Sequence, residues 1–194
     1  IMVTVTAGPN NTNSNGYYYL GAIQLVYDPV VLPPPPVPAA TDTLYVDFGN
    51  TTDTTASPWN NFTDSQDDTM IVLKDWMGMM TSMRMAVTDS FNVGANSAGI
   101  TNDPDLPANA TKDSFFGAIQ PGSVGGNQTT GGVTVYGLDP AVKYHFGFYA
   151  SRVDAASNRE TKYIAEGVNK DSTALNPAVT NPNPVMVWVY NIEP

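Results

Sequence analysis

The chain carries one histidine and no cysteine, so thiol catalysis is excluded and only one imidazole could act as a general base. His145 lies in KYHFGFYASR (143–152), where alternation places it on the strand face opposite Tyr144 and Phe146. A Ser-His-Asp site needs its histidine beside an exposed nucleophile, and the sequence contains no G-x-S-x-G elbow. We therefore interpret His145 as a half-exposed strand residue.

Paired carboxylates are a second source of chemistry. Asp67 adjoins Asp68, and Asp103 stands two residues before Asp105. Glycoside hydrolysis needs two carboxylates at a set separation across a cleft, and no pattern in the sequence indicates such a cleft. The sequence predicts that the chain is not an enzyme.

Oxygen ligands for a hard cation are concentrated in NDPDLPANATKD (102–113). This loop gathers Asp103, Asp105 and Asp113 with several backbone carbonyls, which is the ligand type that Ca²⁺ prefers. The spacing does not match an EF-hand loop. Two interpretations stay open, a solvated turn and a weak calcium site.

Aromatic side chains could stack on the apolar faces of a sugar ligand. Trp59, in SPWNN (57–61), is the candidate glycan contact, although it could equally anchor its own loop. Trp76 is a further candidate. In YYY (17–19) neighbouring side chains face opposite sides of a strand, so at least one tyrosine faces outward, toward an interface or a ligand.

Composition narrows the range of partners. Charged residues make up 13% of the chain against the usual share of about 25%, and the net charge is −10 with eight basic residues. Nucleic acids and anionic membrane surfaces are bound by clustered lysine and arginine, so both are excluded as expected partners. The 21 Thr and 18 Asn supply the polar surface instead, a composition typical of secreted β-proteins.

Short alternating segments separated by turn residues predict an all-β fold. IMVTVT (1–6) and YYYLGAIQLVY (17–27) read as strands, with Gly21 as a bulge or a point of close approach. Residues 41–194 supply about seven or eight more strands. This number and spacing favour a β-sandwich.

A proline-rich segment, PVVLPPPPVPAA, separates residues 1–28 from residues 41–194. Pro33, Pro34, Pro35 and Pro36 favour extended polyproline II and cannot lie inside a sheet. We interpret residues 29–40 as a stiff linker, which could span ~37 Å at about 3.1 Å per residue.

Several motifs, in this order, resemble the galactose-binding-like jelly-roll modules that are repeated in large secreted or surface proteins of Bacteroidota-type bacteria. They cover most of residues 43–167: DFGNTTDTTASPWNN (47–61), TDSFNVGANSAGI (88–100), GLDPAVKYHFGFYASR (137–152) and RETKYIAEG (159–167). The resemblance implies a jelly-roll β-sandwich and an extracellular or cell-surface location. In these modules, strands similar to IMVTVTAG and GYYYLGAIQL typically end the fold, whereas here they stand before the linker.

Three arrangements explain these displaced strands. The chain is one repeat cut out of register from a longer protein, or residues 1–28 complete a neighbouring subunit, or they return to their own sandwich. The linker favours the first two, which predict a self-assembling subunit or repeat of an extracellular filament or adhesin, joined by strand complementation. The alternative is a carbohydrate-binding module of a secreted protein. The residues predicted to make the assembly contacts are Ile1, Val3, Val5, Tyr17, Tyr19, Leu20, Ile23 and Leu25.

Overall fold

The computed structural model describes residues 1–27, 43–124, 128–179 and 183–194, which form two facing β-sheets and a short two-stranded ribbon. The described strands are β1 (Met2–Ala7), β2 (Tyr17–Leu20), β3 (Ala22–Tyr27), β4 (Thr43–Phe48), β5 (Asn60–Phe62), β6 (Met70–Lys74), β7 (Met80–Asp89), β8 (Phe115–Ala118), β9 (Thr130–Tyr136), β10 (Tyr144–Tyr149), β11 (Thr161–Glu166), β12 (Lys170–Leu175) and β13 (Val187–Ile192). A five-residue helix, α1 (Ala108–Lys112), precedes β8.

The six-stranded sheet has the order β12-β11-β1-β9-β7-β6. Strand β1 lies inside it, antiparallel to both β11 and β9, with Val3 opposite Ala165 on one side and Val133 on the other. The alternation of IMVTVT predicts that every second residue faces the core, and Val3 and Val5 are indeed fully buried.

The five-stranded sheet has the order β13-β10-β3-β4-β5. Strand β3 is its central strand and pairs antiparallel with β10 and with β4. Ile23 and Leu25 point from β3 into the interior and are fully buried, while Gln24 faces the other side of the sheet and is half-buried.

The single strand predicted over residues 17–27 is divided at Gly21. Residues before this glycine form β2, which pairs with β8, and residues after it form β3. The Gly21 amide donates to the Tyr149 carbonyl at 3.0 Å, and the Gly21 carbonyl accepts from the Phe48 amide at 2.8 Å. Gly21 is therefore the point at which the chain passes from the ribbon into the five-stranded sheet.

Aromatic rings fill much of the space between the sheets. Phe148 of the five-stranded sheet stacks face to face on Tyr163 of the six-stranded sheet, with ring centroids 4.7 Å apart. Phe48 and Phe62 stack at 5.8 Å, and Phe115 meets both edge-on. One continuous core joins the two layers, and the predicted all-β, jelly-roll-like sandwich is confirmed.

Residues 1–27 lie in the sheets of their own chain. The Ile1 ammonium donates to the Val135 carbonyl at 3.0 Å, which fixes the start of β1. Among the predicted assembly residues, Val3, Val5, Tyr19, Leu20, Ile23 and Leu25 are buried, while Ile1 and Tyr17 are half-buried. Pairing of the same strands with a neighbouring subunit stays a prediction, and Pro33–Pro36 of the linker lie outside the described residues.

Residues 43–194 contain ten described strands rather than seven or eight. Strand β5, only three residues long, lies in a segment that the sequence marks as a polar loop. Strand β12 (KDSTAL) is an exposed edge strand whose polar residues give no alternating apolar signal. Within the described ranges, no helix is long and apolar enough to cross a membrane.

Candidate functional site

All three tryptophans of the chain lie in one groove on the outer side of the five-stranded sheet. Trp188 comes from β13, Trp59 from the loop before β5, and Trp76 from the turn between β6 and β7. The groove encloses about 1070 Å³, slightly more than the ~300–1,000 Å³ usual for ligand sites. We call it the tryptophan groove and define it by Gln24, Thr43, Tyr45, Pro58, Trp59, Trp76, Asp103–Pro107, Tyr149, Asn183–Met186 and Trp188.

A row of residues across four strands forms the floor of the tryptophan groove. Gly147 of β10 is opposite Trp188 on one side and Gln24 on the other, and Gln24 is in turn opposite Tyr45 of β4. The row therefore has an aromatic ring at each end, Trp188 and Tyr45, and the polar side-chain amide of Gln24 between them. This order follows from strand register alone.

Gly147 makes room for one of these rings. A Cβ at this position would lie 2.9 Å from the Trp188 ring and 2.5 Å from the Met186 sulfur. Because glycine has no side chain, the Trp188 indole can lie over Gly147 and line the groove. Trp188 also stacks on Tyr190, at 6.0 Å and 16°.

The other two tryptophans are held by neighbouring strands. Trp59 stacks on Tyr45 with centroids 5.1 Å apart and 29° between the ring planes. The Trp76 amide donates to the Thr43 carbonyl at 2.8 Å, and the Trp76 side chain is 45% exposed. Trp59 therefore both anchors its loop and lines the groove, so the two interpretations of this residue are compatible.

The loop at 103–107 forms a polar wall of the groove. Asp103 accepts hydrogen bonds from the amides of Asp105 (2.9 Å) and Leu106 (3.0 Å), and from the Tyr149 hydroxyl (3.2 Å). Burial raises the pKa of Tyr149, and the charge of Asp103 raises it further, so the hydroxyl stays a donor. These bonds fix the wall, while Asp105 is exposed on it.

The structure does not bring the predicted calcium ligands together. Asp103 and Asp105 lie on the groove wall, whereas Asp113 is buried beside Asp47 of β4. The described ranges contain no group of three or more His, Cys, Asp or Glu placed to hold a metal ion. Both oxygens of Asp103 already accept hydrogen bonds, one from its own loop and the other from Tyr149 of β10.

Asp47 and Asp113 instead form a buried carboxylate pair. They are 3% and 2% exposed. Gly49 follows Asp47 on the same face of the chain, and the Asp113 carboxylate occupies the space that a Cβ at Gly49 would need. The amide of Thr55 donates to Asp47 at 3.1 Å, and the amide of Asn50 donates to Asp113 at 2.7 Å.

Burial dominates the electrostatics of this pair. It raises the pKa of Asp47 to about 7, with a contribution from the charge of Asp113 and an opposing one from the hydrogen bond of the Thr55 amide. It also raises the pKa of Asp113 to about 6, with the Asn50 amide opposing and the charge of Asp53 adding. Both carboxyls therefore hold protons more tightly than exposed aspartates do.

Three buried oxygens at the carboxylate pair lack a hydrogen-bond partner among the described residues: Asp47 Oδ1, Asp113 Oδ1 and Thr55 Oγ1. Buried oxygens without partners are costly and call for a proton or a ligand. Two carboxylates and a hydroxyl are ligands that a hard cation accepts. If this chain holds a structural calcium ion, these are the residues that fit it.

His145 belongs to neither group and lies on the outer face of β10. Its Nδ1 accepts from the Asn191 amide at 3.0 Å, and its ring stands 5.5 Å from that of Tyr190. The ring is half-buried, as its place in the alternation predicts.

Sequence reasoning found Trp59 and Trp76 but missed Trp188, Tyr45 and Gln24. A signal for Trp188 existed, because VMVWVYNI (185–192) alternates and places Trp188 and Tyr190 opposite Val189. No local sequence pattern indicates that these residues meet in one groove, because residues 24, 59 and 188 come together only through the order of the strands.

The expected kinship with galactose-binding-like modules stays a resemblance. No family model, no curated protein and no solved structure matches this chain.

Proposed function

We propose that the chain binds glycans and that the tryptophan groove is the binding site. The observation that carries the proposal is the meeting of all three tryptophans, from three separate segments, in one groove floored by the five-stranded sheet. A soluble fold gains little from gathering its tryptophans on an outer face, since buried positions would stabilise it more.

Aromatic rings and sparse polar groups match the surface of a sugar. The C–H faces of a pyranose stack on Trp188 and on the Trp59–Tyr45 pair, while ring hydroxyls bond to polar groups such as Gln24. Asp105 adds negative charge to the wall. We therefore expect the tryptophan groove to bind neutral oligosaccharides and to repel acidic ones, since like charges destabilise a complex.

A glycan array followed by calorimetry tests the proposal. Trp188→Ala and Trp59→Ala should each weaken binding at least about tenfold, which corresponds to ~1.4 kcal/mol. Tyr136→Ala is the matched control, because Tyr136 is an exposed aromatic residue (43%) at the end of β9 in the other sheet and outside the groove. A flat array, or equal losses in the control, would count against glycan binding.

A second candidate function, assembly by strand complementation, is favoured by a separate observation. Strands β3 and β4 are antiparallel neighbours with Val26 opposite Thr43, yet residues 28–42 separate them in sequence. Neighbouring strands need a loop of only about two to five residues. The extra length would allow residues 1–27 to enter the sandwich of another subunit with the same pairing.

Introduced cysteines distinguish pairing within a chain from pairing between chains, because the chain has no cysteine of its own. Thr4 is opposite Ile164 in the β1–β11 register. If strands are exchanged, oxidised Thr4→Cys/Ile164→Cys should run as dimers or ladders on denaturing, non-reducing gels. A single cross-linked monomer band at all protein concentrations would rule out the exchange.

A further inference from the structure

Two of the three arginines of the chain meet in a second cavity, beside the β2–β8 ribbon. This cavity encloses about 400 Å³ and is lined in part by Tyr17, Tyr19, Asn96, Phe116, Arg152 and Arg159. We call it the arginine pocket. None of these residues belongs to the tryptophan groove or to the carboxylate pair.

Both arginines line the cavity together with Tyr19, and the Arg159 guanidinium bonds to the Tyr19 hydroxyl. The donor is Nη1, and the Arg159 guanidinium lies 5.2 Å from the centre of the Tyr17 ring and 5.9 Å from that of Tyr19. Burial raises the pKa of Tyr19, while the charges of Arg159 and Arg152, both close to its hydroxyl, act in the opposite direction.

These two cations have no anionic partner in the described part of the chain. The lysine ion pairs there are Lys112–Asp53, Lys143–Glu193 and Lys170–Glu166, and no described carboxylate lies within 4.0 Å of Arg152 or Arg159. The Nε of Arg159 is buried and has no hydrogen-bond partner there either. This is unexpected in a chain with 18 acidic residues and eight basic ones.

The backbone holds both arginines in place. The Arg159 amide donates to Asn176 Oδ1 at 3.0 Å, and the Arg152 amide donates to the Pro177 carbonyl at 2.6 Å. The Arg152 carbonyl accepts from Val179 at 2.8 Å. One segment, 176–179, therefore fixes the two positions relative to each other before any ligand arrives, which lowers the cost of binding.

Two cations that line one cavity repel each other, and an anion placed between them removes that repulsion. A guanidinium group can donate two parallel N–H bonds to two oxygens of a carboxylate or a sulfate. Phe116 and Tyr17 add aromatic faces to the same cavity. We propose that the arginine pocket binds the carboxylate or sulfate group of a small acidic sugar, independently of the tryptophan groove.

Calorimetry with the intact chain tests this proposal, using sodium glucuronate, glucose 6-sulfate, inorganic sulfate and neutral glucose as probes. At least one acidic sugar should bind and weaken with added salt, while glucose should not bind. Arg152→Gln and Arg159→Gln should each reduce affinity tenfold or more. Arg84→Gln is the matched control, because Arg84 is the third arginine and is exposed on β7.

Arg159 stacks on two tyrosines, so Arg159→Gln could lose its fold. Arg159→Lys, checked by circular dichroism, keeps the charge and should retain weak binding of the acidic sugars. The proposal is overturned if glucose binds as tightly as glucuronate or if no acidic sugar binds at millimolar concentration. It is also overturned if Arg84→Gln reduces the affinity for acidic sugars as much as the pocket variants do. If inorganic sulfate binds as tightly as glucuronate and glucose 6-sulfate do, the sugar ring contributes nothing to affinity and that part of the proposal is wrong.

Discussion

The buried carboxylate pair should make the stability of this protein fall as the pH rises from acidic to neutral. Asp47 has its pKa raised by burial to about 7, from 3.8 in an unfolded chain. The folded state therefore binds this proton more tightly than the unfolded state does. The stability it confers is fully present below about pH 4 and is lost as the pH rises through about 7.

The size of the effect follows from the shift. A displacement of about three units at ~1.4 kcal/mol each amounts to roughly 4 kcal/mol for Asp47 alone. Asp113, raised to about 6, adds to the loss. The two shifts are not fully additive, because the charge of Asp113 contributes to the shift of Asp47. A loss of ~4 kcal/mol is large against a typical stability of about 5–15 kcal/mol.

Urea unfolding in a chelator, at about pH 5, 6, 7 and 8, measures this dependence. Asp47→Asn removes one charge at constant shape. We expect it to stabilise the protein at neutral pH by about 1–3 kcal/mol and to flatten most of the slope. Asp171→Asn, at an exposed position of β12, is the control and should keep the slope.

Two results would refute this reasoning. One is a wild-type stability that stays constant between pH 5 and 8. The other is an Asp47→Asn variant that is less stable than the wild type at neutral pH in chelator, since that would mean the ionised carboxylate is favourable where it stands.

Three further outcomes are expected. Calcium should raise the melting temperature of the wild type above pH 7 and have little effect on Asp47→Asn, whereas an equal rise in both would exclude the carboxylate pair as its site. Gly147→Ala should push the Trp188 ring out of position and weaken glycan binding at least fivefold in calorimetry. The free energy of unfolding in urea should change by less than about 1 kcal/mol. Unchanged glycan affinity would contradict the role given to Gly147. Tyr149→Phe removes the bond to Asp103 and should cost about 1.5–3 kcal/mol in urea unfolding, so an unchanged midpoint would mean that this bond does not hold the groove wall.

Strand alternation was enough to predict the sandwich. In β1 and β10, residues such as Val5 and Phe146 repeat every second position and are fully buried. The division at Gly21 was not predictable in the same way, because the sequence on both sides is apolar. Only the pairing partners differ: the residues before the glycine pair with β8, whereas the residues after it pair with β10 and β4.

The sites depended on contacts that no local pattern encodes. The proposed calcium loop gathered aspartates by sequence, but Asp103 is used by its own loop and only Asp113 reaches a second carboxylate. Asp47 looked like an ordinary residue of a strand. Arg152 and Arg159 became a pair only because both are fixed by segment 176–179.

Tryptophan fluorescence during a titration with neutral oligosaccharides tests the central claim most directly. Because all three tryptophans line the groove, the whole emission signal reports on the proposed site. Glycan binding in the groove predicts a saturable blue shift for at least one neutral oligosaccharide, at least tenfold weaker in Trp188→Ala and unchanged in Tyr136→Ala. A neutral oligosaccharide that binds by calorimetry without altering the emission would contradict it.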